Sequence, residues 1–423
     1  MLFTGIESAR APALAPGVEL IGEYSGSGHR QSPSLVRHRG RTIEMSPMLF
    51  TVCAALDGRR NLQEVAAILS ASCGRQATAA DVEYLLDNKL RPLGVLAGTD
   101  EVGKDAVPPE RPARPALALV VHRAVLSGAA VRRCVRPLRG LFRPRVVAAT
   151  LSILLAMDLW LLRVGRSGAG LHHLVVNPEV AVLLVVLALI GTAFHELGHA
   201  TACHYGGAEP GVIGVGLYLI WPVFYNDLDD SYRLDRAGRL RADLGGVYFN
   251  ALFALVLGAA YVITGYRPFV VAVVMQHLAI VHQFLPFVRL DGYYVVSDLA
   301  GVPNLFGRIR PVLSSLLPGP APEAVSQLTR RSRIVVTAWV LVTVPMLAAV
   351  LVLLVVRLPE LAAEVSNALA RQGRALEAAL NRRALWAALV HAMQLVVLVI
   401  PPVGVAVMIG NGLRSWRRAA ARA

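Results

Sequence analysis

The feature that most constrains this chain is a set of long apolar runs. A run of about 20 apolar residues can cross a bilayer, and in hydrocarbon the backbone must satisfy its own hydrogen bonds, so such runs fold as helices. Runs at 146–162, 179–203, 244–264, 268–290, 334–356 and 385–409 predict about six transmembrane helices. The first contains Asp158 and the fourth contains His277, His282 and Gln283, groups that are costly at that depth. These histidines and His391 read as structural hydrogen-bonding groups or as lining of a wet cavity. With 55% hydrophobic and 17% charged residues over 423 positions, the chain is neither an ordinary soluble enzyme nor a disordered segment. Its four cysteines, Cys53, Cys73, Cys134 and Cys203, show no pairing rhythm and no C-x-x-C. They read as small buried apolar residues, not as a disulfide scaffold.

The net charge of +14 is carried largely by arginines that flank the apolar runs. That placement suits anionic lipid and topology control better than nucleic acid, which is recognised by bases gathered on one soluble face. Arg132, Arg133, Arg136, Arg139, Arg143 and Arg145 precede the first run. Arg233, Arg236, Arg239 and Arg241, then Arg308, Arg310, Arg330, Arg331 and Arg333, mark the connections on the same side. The rule that cytoplasmic loops are basic then puts both termini in the cytoplasm. The segment 357–384 departs from the pattern, but it mixes its arginines with Glu360, Glu364 and Glu377. The opening residues, MLFTGIESARAP, lack the basic and apolar blocks of a signal peptide.

Within the second run the sequence reads His195-Glu196-Leu197-Gly198-His199. On a helix, positions i and i+4 share a face, so both imidazoles can bind one Zn²⁺. Glu196 sits one step round the helix, where a carboxylate can take a proton from water as it attacks a carbonyl. Catalytic zinc takes three protein ligands and leaves one position open. Asp291, followed by Gly292 where the fourth run ends, is the candidate third ligand, on the same membrane side as the histidines. The plain alternative is an Asp-Gly turn that only ends a helix.

This combination resembles the site-2 protease family of intramembrane zinc metallopeptidases. The resemblance covers roughly residues 145–310. It implies that His195, His199 and Asp291 bind zinc and that Glu196 is the catalytic base. The family's G-P-x-x-N element reads here as Gly246-Val247-Tyr248-Phe249-Asn250, without its proline. It implies that Asn250 holds substrate or steadies the oxyanion; a plain interhelical hydrogen bond is the equal alternative. The family's N-x-x-P-x-x-x-x-D-G reads Gln283 to Gly292, with Gln in place of Asn. Residues 211–225 resemble the embedded β-hairpin of that family, whose edge at Val215, Gly216, Leu217 and Tyr218 would pair with an extended substrate. Leu290-Asp291-Gly292-Tyr293-Tyr294, followed by Val302-Pro303-Asn304-Leu305, is similar to the bacterial peptide zinc metalloproteases, daptide-biosynthesis proteins included. That resemblance implies the bacterial cytoplasmic membrane.

Residues 17–98 are mixed and globular. A strand pair around Gly40 is followed by helix starts at Asn61 and Thr78, each with an acid three residues on. Strands followed by three helices make a small winged-helix pattern. Leu56-Asp57-Gly58, continuing through Arg60, Leu62, Glu64 and Val65, then Asp81 to Leu86 and Leu93 to Leu96, resemble PqqD-like domains, which bind the leader of modified peptides. The resemblance implies a peptide added as a strand at Thr42, Ile43 and Glu44, against the helix at 79–89. A DNA-binding winged helix is the alternative that Arg37, Arg39 and Arg41 permit and that Asp81, Glu83 and Asp87 oppose. A structural cap is the other.

The expected architecture is therefore mainly α. A cytoplasmic winged-helix (PqqD-like) domain at 17–98 is followed by a proline-rich linker and juxtamembrane segment at 99–131. A polytopic membrane core with a small embedded β-hairpin follows at 132–310, and C-terminal helices with a basic tail at 311–423. The expected activity is zinc-dependent leader removal from a precursor peptide at the lipid bilayer, with no nucleic-acid partner. Two alternatives stand beside it. One is a regulatory protease cutting an anti-sigma factor or a signal-peptide remnant. The other is a non-catalytic zinc-binding peptide transporter or immunity protein.

Overall fold

The structure, a computed structural model, describes residues 11–38, 41–97, 119–164, 178–218, 221–320 and 322–420. The chain divides into two compact units, one of residues 1–113 with 300–334 and one of residues 114–299 with 335–423.

The first unit begins with an antiparallel sheet of β1 (Glu19–Glu23), β2 (Ser34–His38) and β3 (Arg41–Met45), in that order. His38 pairs with Arg41, so the expected strand pair is present; Gly40 lies outside the described residues. Three helices follow: α1 (Pro47–Ala55), α2 (Leu62–Cys73) and α3 (Ala79–Leu85). Asn61 and Thr78 form the capping boxes their spacing predicts, with Glu64 and Asp81 returning the bond to the cap backbone. Each satisfies two otherwise orphaned donors. Val36, Val52, Val65, Leu69, Val82 and Leu90 close a single core beneath the sheet.

The domain starts earlier than expected, because Ala13 bridges to Asp57 and Leu14 to Leu96. It also recruits residues 300–334, expected in the membrane core and its C-terminal extension. The loop between β1 and β2 is bonded to that segment: Gly28 N–H to Gly301 O at 2.8 Å, Arg30 N–H to Gln327 O at 2.8 Å, and Thr329 N–H to Gly28 O at 2.8 Å.

The second unit is mainly helical. Among the described residues five helices are long and apolar enough to cross a membrane, which fits a membrane protein. In chain order the unit comprises β4 (Leu119–Leu126), α4 (Gly128–Leu138), α5 (Pro144–Val164), α6 (Pro178–Tyr205), β5 (Ile213–Tyr218) and β6 (Trp221–Asn226). There follow α7 (Arg236–Asp243), α8 (Gly245–Thr264), α9 (Pro268–Gln283) and α10 (Asp291–Ala300). Between α10 and the last two helices come the first unit's α11 (Ile309–Ser315) and α12 (Glu323–Ser326). The chain ends in α13 (Arg330–Asn381) and α14 (Leu385–Ala420).

Three expectations need correcting here. The fourth apolar run does not make a spanning helix: α9 stops at Gln283 after 16 residues, about 24 Å, short of a bilayer core of about 30 Å. Pro286 lies in the break, and proline cannot continue a helix hydrogen-bond ladder. Within the expected linker and juxtamembrane segment 99–131, residues 119–131 are a strand and the start of α4 and not irregular chain; the prolines at 108–115 lie outside the described residues. The β-hairpin belongs to a three-stranded sheet of order β4-β5-β6. Among the cysteines, Cys53 and Cys203 are buried as expected, whereas Cys73 and Cys134 are exposed.

Two of the histidines in the apolar runs have side-chain partners on neighbouring helices. His277 Nε2 lies 3.1 Å from Asp158 Oδ2, joining α9 to α5, and His391 Nδ1 lies 2.8 Å from Gln372 Oε1, joining α14 to α13. Asp158 of the first run and His277 of the fourth thereby satisfy each other.

Candidate metal centre

The site is built on the packing of α6 against α8. Gly198 and Gly245 face each other so closely that a Cβ on either would strike the other's backbone. Small residues at both positions let the helices approach, as small-residue interfaces do between membrane helices. Phe194 and Phe249 pack one turn away, with ring centroids 4.7 Å apart. This approach carries Gly246 up to the two histidines, and a Cβ there would fall against Nε2 of both imidazoles. Gly246 is therefore required for lack of space, not for backbone freedom.

His195 and His199 are both buried, with their Nε2 atoms 3.1 Å apart. Asp291, the first residue of α10, points its carboxylate at the pair: Oδ2 is 3.2 Å from His195 Nε2 and Oδ1 is 3.3 Å from His199 Nε2. Asp291 thus starts a helix after a break instead of ending an apolar one. The three residues form a group able to hold a metal ion, with their ligand atoms all within 4.8 Å of one another.

The donor set fits zinc. A tetrahedral zinc with bonds of about 2.0–2.2 Å keeps neighbouring ligand atoms about 3.3 Å apart, and the observed separations match. His199 Nδ1 donates to the carbonyl of Ala242 at 2.8 Å, which leaves Nε2 as a lone pair; this tautomer follows from the bonding pattern. Asp291 Oδ2 is buried with no hydrogen-bond donor among the described residues. The His199 lone pair, the His195 imidazole and a carboxylate thus converge on one point, an arrangement able to hold a cation.

Glu196 is half-buried beside the pair, within electrostatic range of both imidazoles and of Asp291. Its carbonyl accepts a hydrogen bond from Asn226 Nδ2 at 2.9 Å, which ties the end of β6 to the motif. Asn250 is buried on α8, four residues after Gly246 and so on the same face one turn on. Gln283 reaches the site as well, its Nε2 3.3 Å from His195 Nε2. Its alignment with the family asparagine was the only sequence signal that could have placed it there.

Val215, Gly216, Leu217 and Tyr218 lie on the central strand of their sheet. Val215 pairs with Arg123 on one side and Phe224 on the other. Their backbone is already occupied, so the expected free edge is not at these residues; the outer strands of the sheet are β4 and β6. Thr42, Ile43 and Glu44 lie on β3, one of the two edge strands of the first unit's sheet.

No family model matches the chain, and no solved structure matches it. Over 129 residues, 30% of this chain, it is 22% identical to a Bacillus subtilis (strain 168) protein described as "Putative peptide zinc metalloprotease protein YydH". The matched stretch spans about half of that protein's length, 51%. This chain is thus distantly similar to a protein named as a peptide zinc metalloprotease.

Proposed function

We propose that the chain is a membrane zinc endopeptidase of the site-2 type in which His195, His199 and Asp291 hold the metal. The observation that carries this reading is the convergence of those three donors at zinc-like separations beside Glu196. Zinc bound there supplies Lewis acidity, polarising a carbonyl and acidifying water. The chain's own residues do the rest. Ala242 holds His199 in the tautomer that leaves Nε2 free. Glu196 takes the proton from the attacking water and returns it to the leaving amine. Asn250 binds the substrate backbone in this reading, supported by its burial one turn from Gly246.

The substrate in this reading is a precursor peptide whose leader adds to β3 at Thr42, Ile43 and Glu44. What supports it is that β3 is one of the two edge strands of its sheet, and sheet edges accept extended peptides. Tethering would raise the local substrate concentration, to the millimolar range with a short connection. Both termini lie in the cytoplasm in this topology.

The test uses the purified chain in detergent, with metal analysis and a peptide library read by mass spectrometry. Wild type and Glu196→Gln should each hold about one zinc, and only wild type should cut. Equal zinc with no cleavage by either would favour the non-catalytic transporter reading.

A further inference from the structure

Two helices outside the apolar spans support the site from behind. α7 supplies the Ala242 carbonyl that orients His199. α10 starts at Asp291 and carries Asp298 two turns later on the same face. Arg239, one turn before Ala242, joins these helices. Its Nε donates to Asp298 Oδ1 at 2.8 Å, and its Nη1 donates to Leu234 O at 2.8 Å, just before α7 begins. The whole of Arg239 is buried, at 1% exposure.

Asp243, the last residue of α7, adds to the cluster. Burial first, and then the Asp298 carboxylate beside it, push its carboxyl well above the usual range. A buried ion pair of this kind is a poor source of stability, because desolvation offsets the attraction and apolar residues of the same size often serve as well. Something other than stability is needed to account for it. The geometry supplies a reason: the pair is a strut between the helix that orients one histidine and the helix that presents the aspartate.

We infer that the Arg239–Asp298 pair is a positioning element that fixes α7 against α10 and so sets the Asp291-to-His199 spacing for a divalent metal. This rests on the zinc reading above. Partners in the second layer of a metal site are typically worth 10–100-fold in metal affinity.

The test is chelator competition for zinc on the full chain in detergent, with the visible spectrum of the Co²⁺-loaded chain as a geometric readout. Asp298→Asn removes one side of the pair and should weaken zinc binding by about 10–100-fold and shift the Co²⁺ bands. Because it strands a buried guanidinium, the double variant Arg239→Met with Asp298→Leu, which leaves no buried charge in the pair, keeps the test open if the single variant fails to fold. That variant should fold and still bind zinc weakly. Wild-type affinity and spectrum in the double variant would overturn the inference, whatever happened to its melting temperature. A wild-type chain that takes up no zinc would instead sink the metal reading itself.

Discussion

At the scale of single residues, the site separates what a sequence pattern can carry from what only packing can show. His195 and His199 were legible because helical spacing puts i and i+4 on one face, and Asp291 because of its Asp-Gly context. Gly246 was only a piece of an imperfect motif, and its reason lies in the neighbouring helix. Ala242 contributes a carbonyl, which no side-chain pattern encodes. Gly246→Ala tests the steric argument. Gly246 is the second residue of α8, so alanine there gains at most a fraction of the roughly 1 kcal/mol it would gain in a helix interior. The added methyl, however, would occupy the space where both Nε2 atoms converge. The expected outcome is zinc affinity at least about 10-fold weaker, with metal-free thermal stability lowered as well, because the methyl overpacks the histidines. A zinc titration beside a melting curve in chelator checks both, and undiminished affinity would mean the metal does not sit against α8.

At the scale of elements, hydropathy found the five described helices that are long and apolar enough to span, and misjudged the fourth run. The run 268–290 stays apolar past Gln283, so a window average cannot see that Pro286 has ended the helix. That break is what lets Asp291 start a new helix facing the histidines. The last two helices show a related mismatch. α13 runs for 52 residues, about 78 Å, far beyond what a span needs. The bond from His391 to Gln372 fixes its register with α14. By that register, the apolar stretch Leu385–Gly404 faces residues 359–378 of α13, with Glu360, Glu364, Arg371, Arg374 and Glu377, and not its apolar run. Charges at a bilayer centre cost about 2.5–3.5 kcal/mol each, so this hairpin should lie at the interface, charged face outward. Cysteines placed at Glu364 and Arg374 should react with a membrane-impermeant maleimide in intact vesicles of one orientation. One placed at Val396, exposed on the apolar face, should react only after detergent. Protection of all three would place the hairpin within the bilayer.

At the scale of the whole molecule, the sequence suggested a self-contained N-terminal domain ending near residue 98, because its capping boxes and core helices are local signals. The structure completes that unit with residues more than two hundred positions away, a pairing no local pattern announces. Gly28 and Gly301 interlock so tightly that a Cβ on either would strike the other segment's backbone, and Gly301 has φ +64°, a conformation glycine adopts freely. Between these contacts sits His29, whose Nε2 accepts from Arg308 Nη2 at 3.0 Å. Burial, then the Arg308 charge, lowers the His29 pKa below its ordinary 6.5. A group with a depressed folded-state pKa binds protons more readily once its surroundings open. Its contribution to stability is therefore present above about pH 6.5 and is lost as pH falls through the folded-state value. Hydrogen exchange on the full chain in detergent, corrected for intrinsic rates, should show the amides of Gly28, Arg30 and Thr329 protected at about pH 7.5 and less so at about pH 5.5. His29→Gln removes the titration and retains an acceptor for Arg308, so it should flatten that difference while leaving protection at the higher pH in place. Equal acid-induced loss in the variant would shift the sensitivity to another group. Absence of protection at either pH would mean that residues 300–334 do not hold the β1–β2 loop, and that the unit ends where its local signals end.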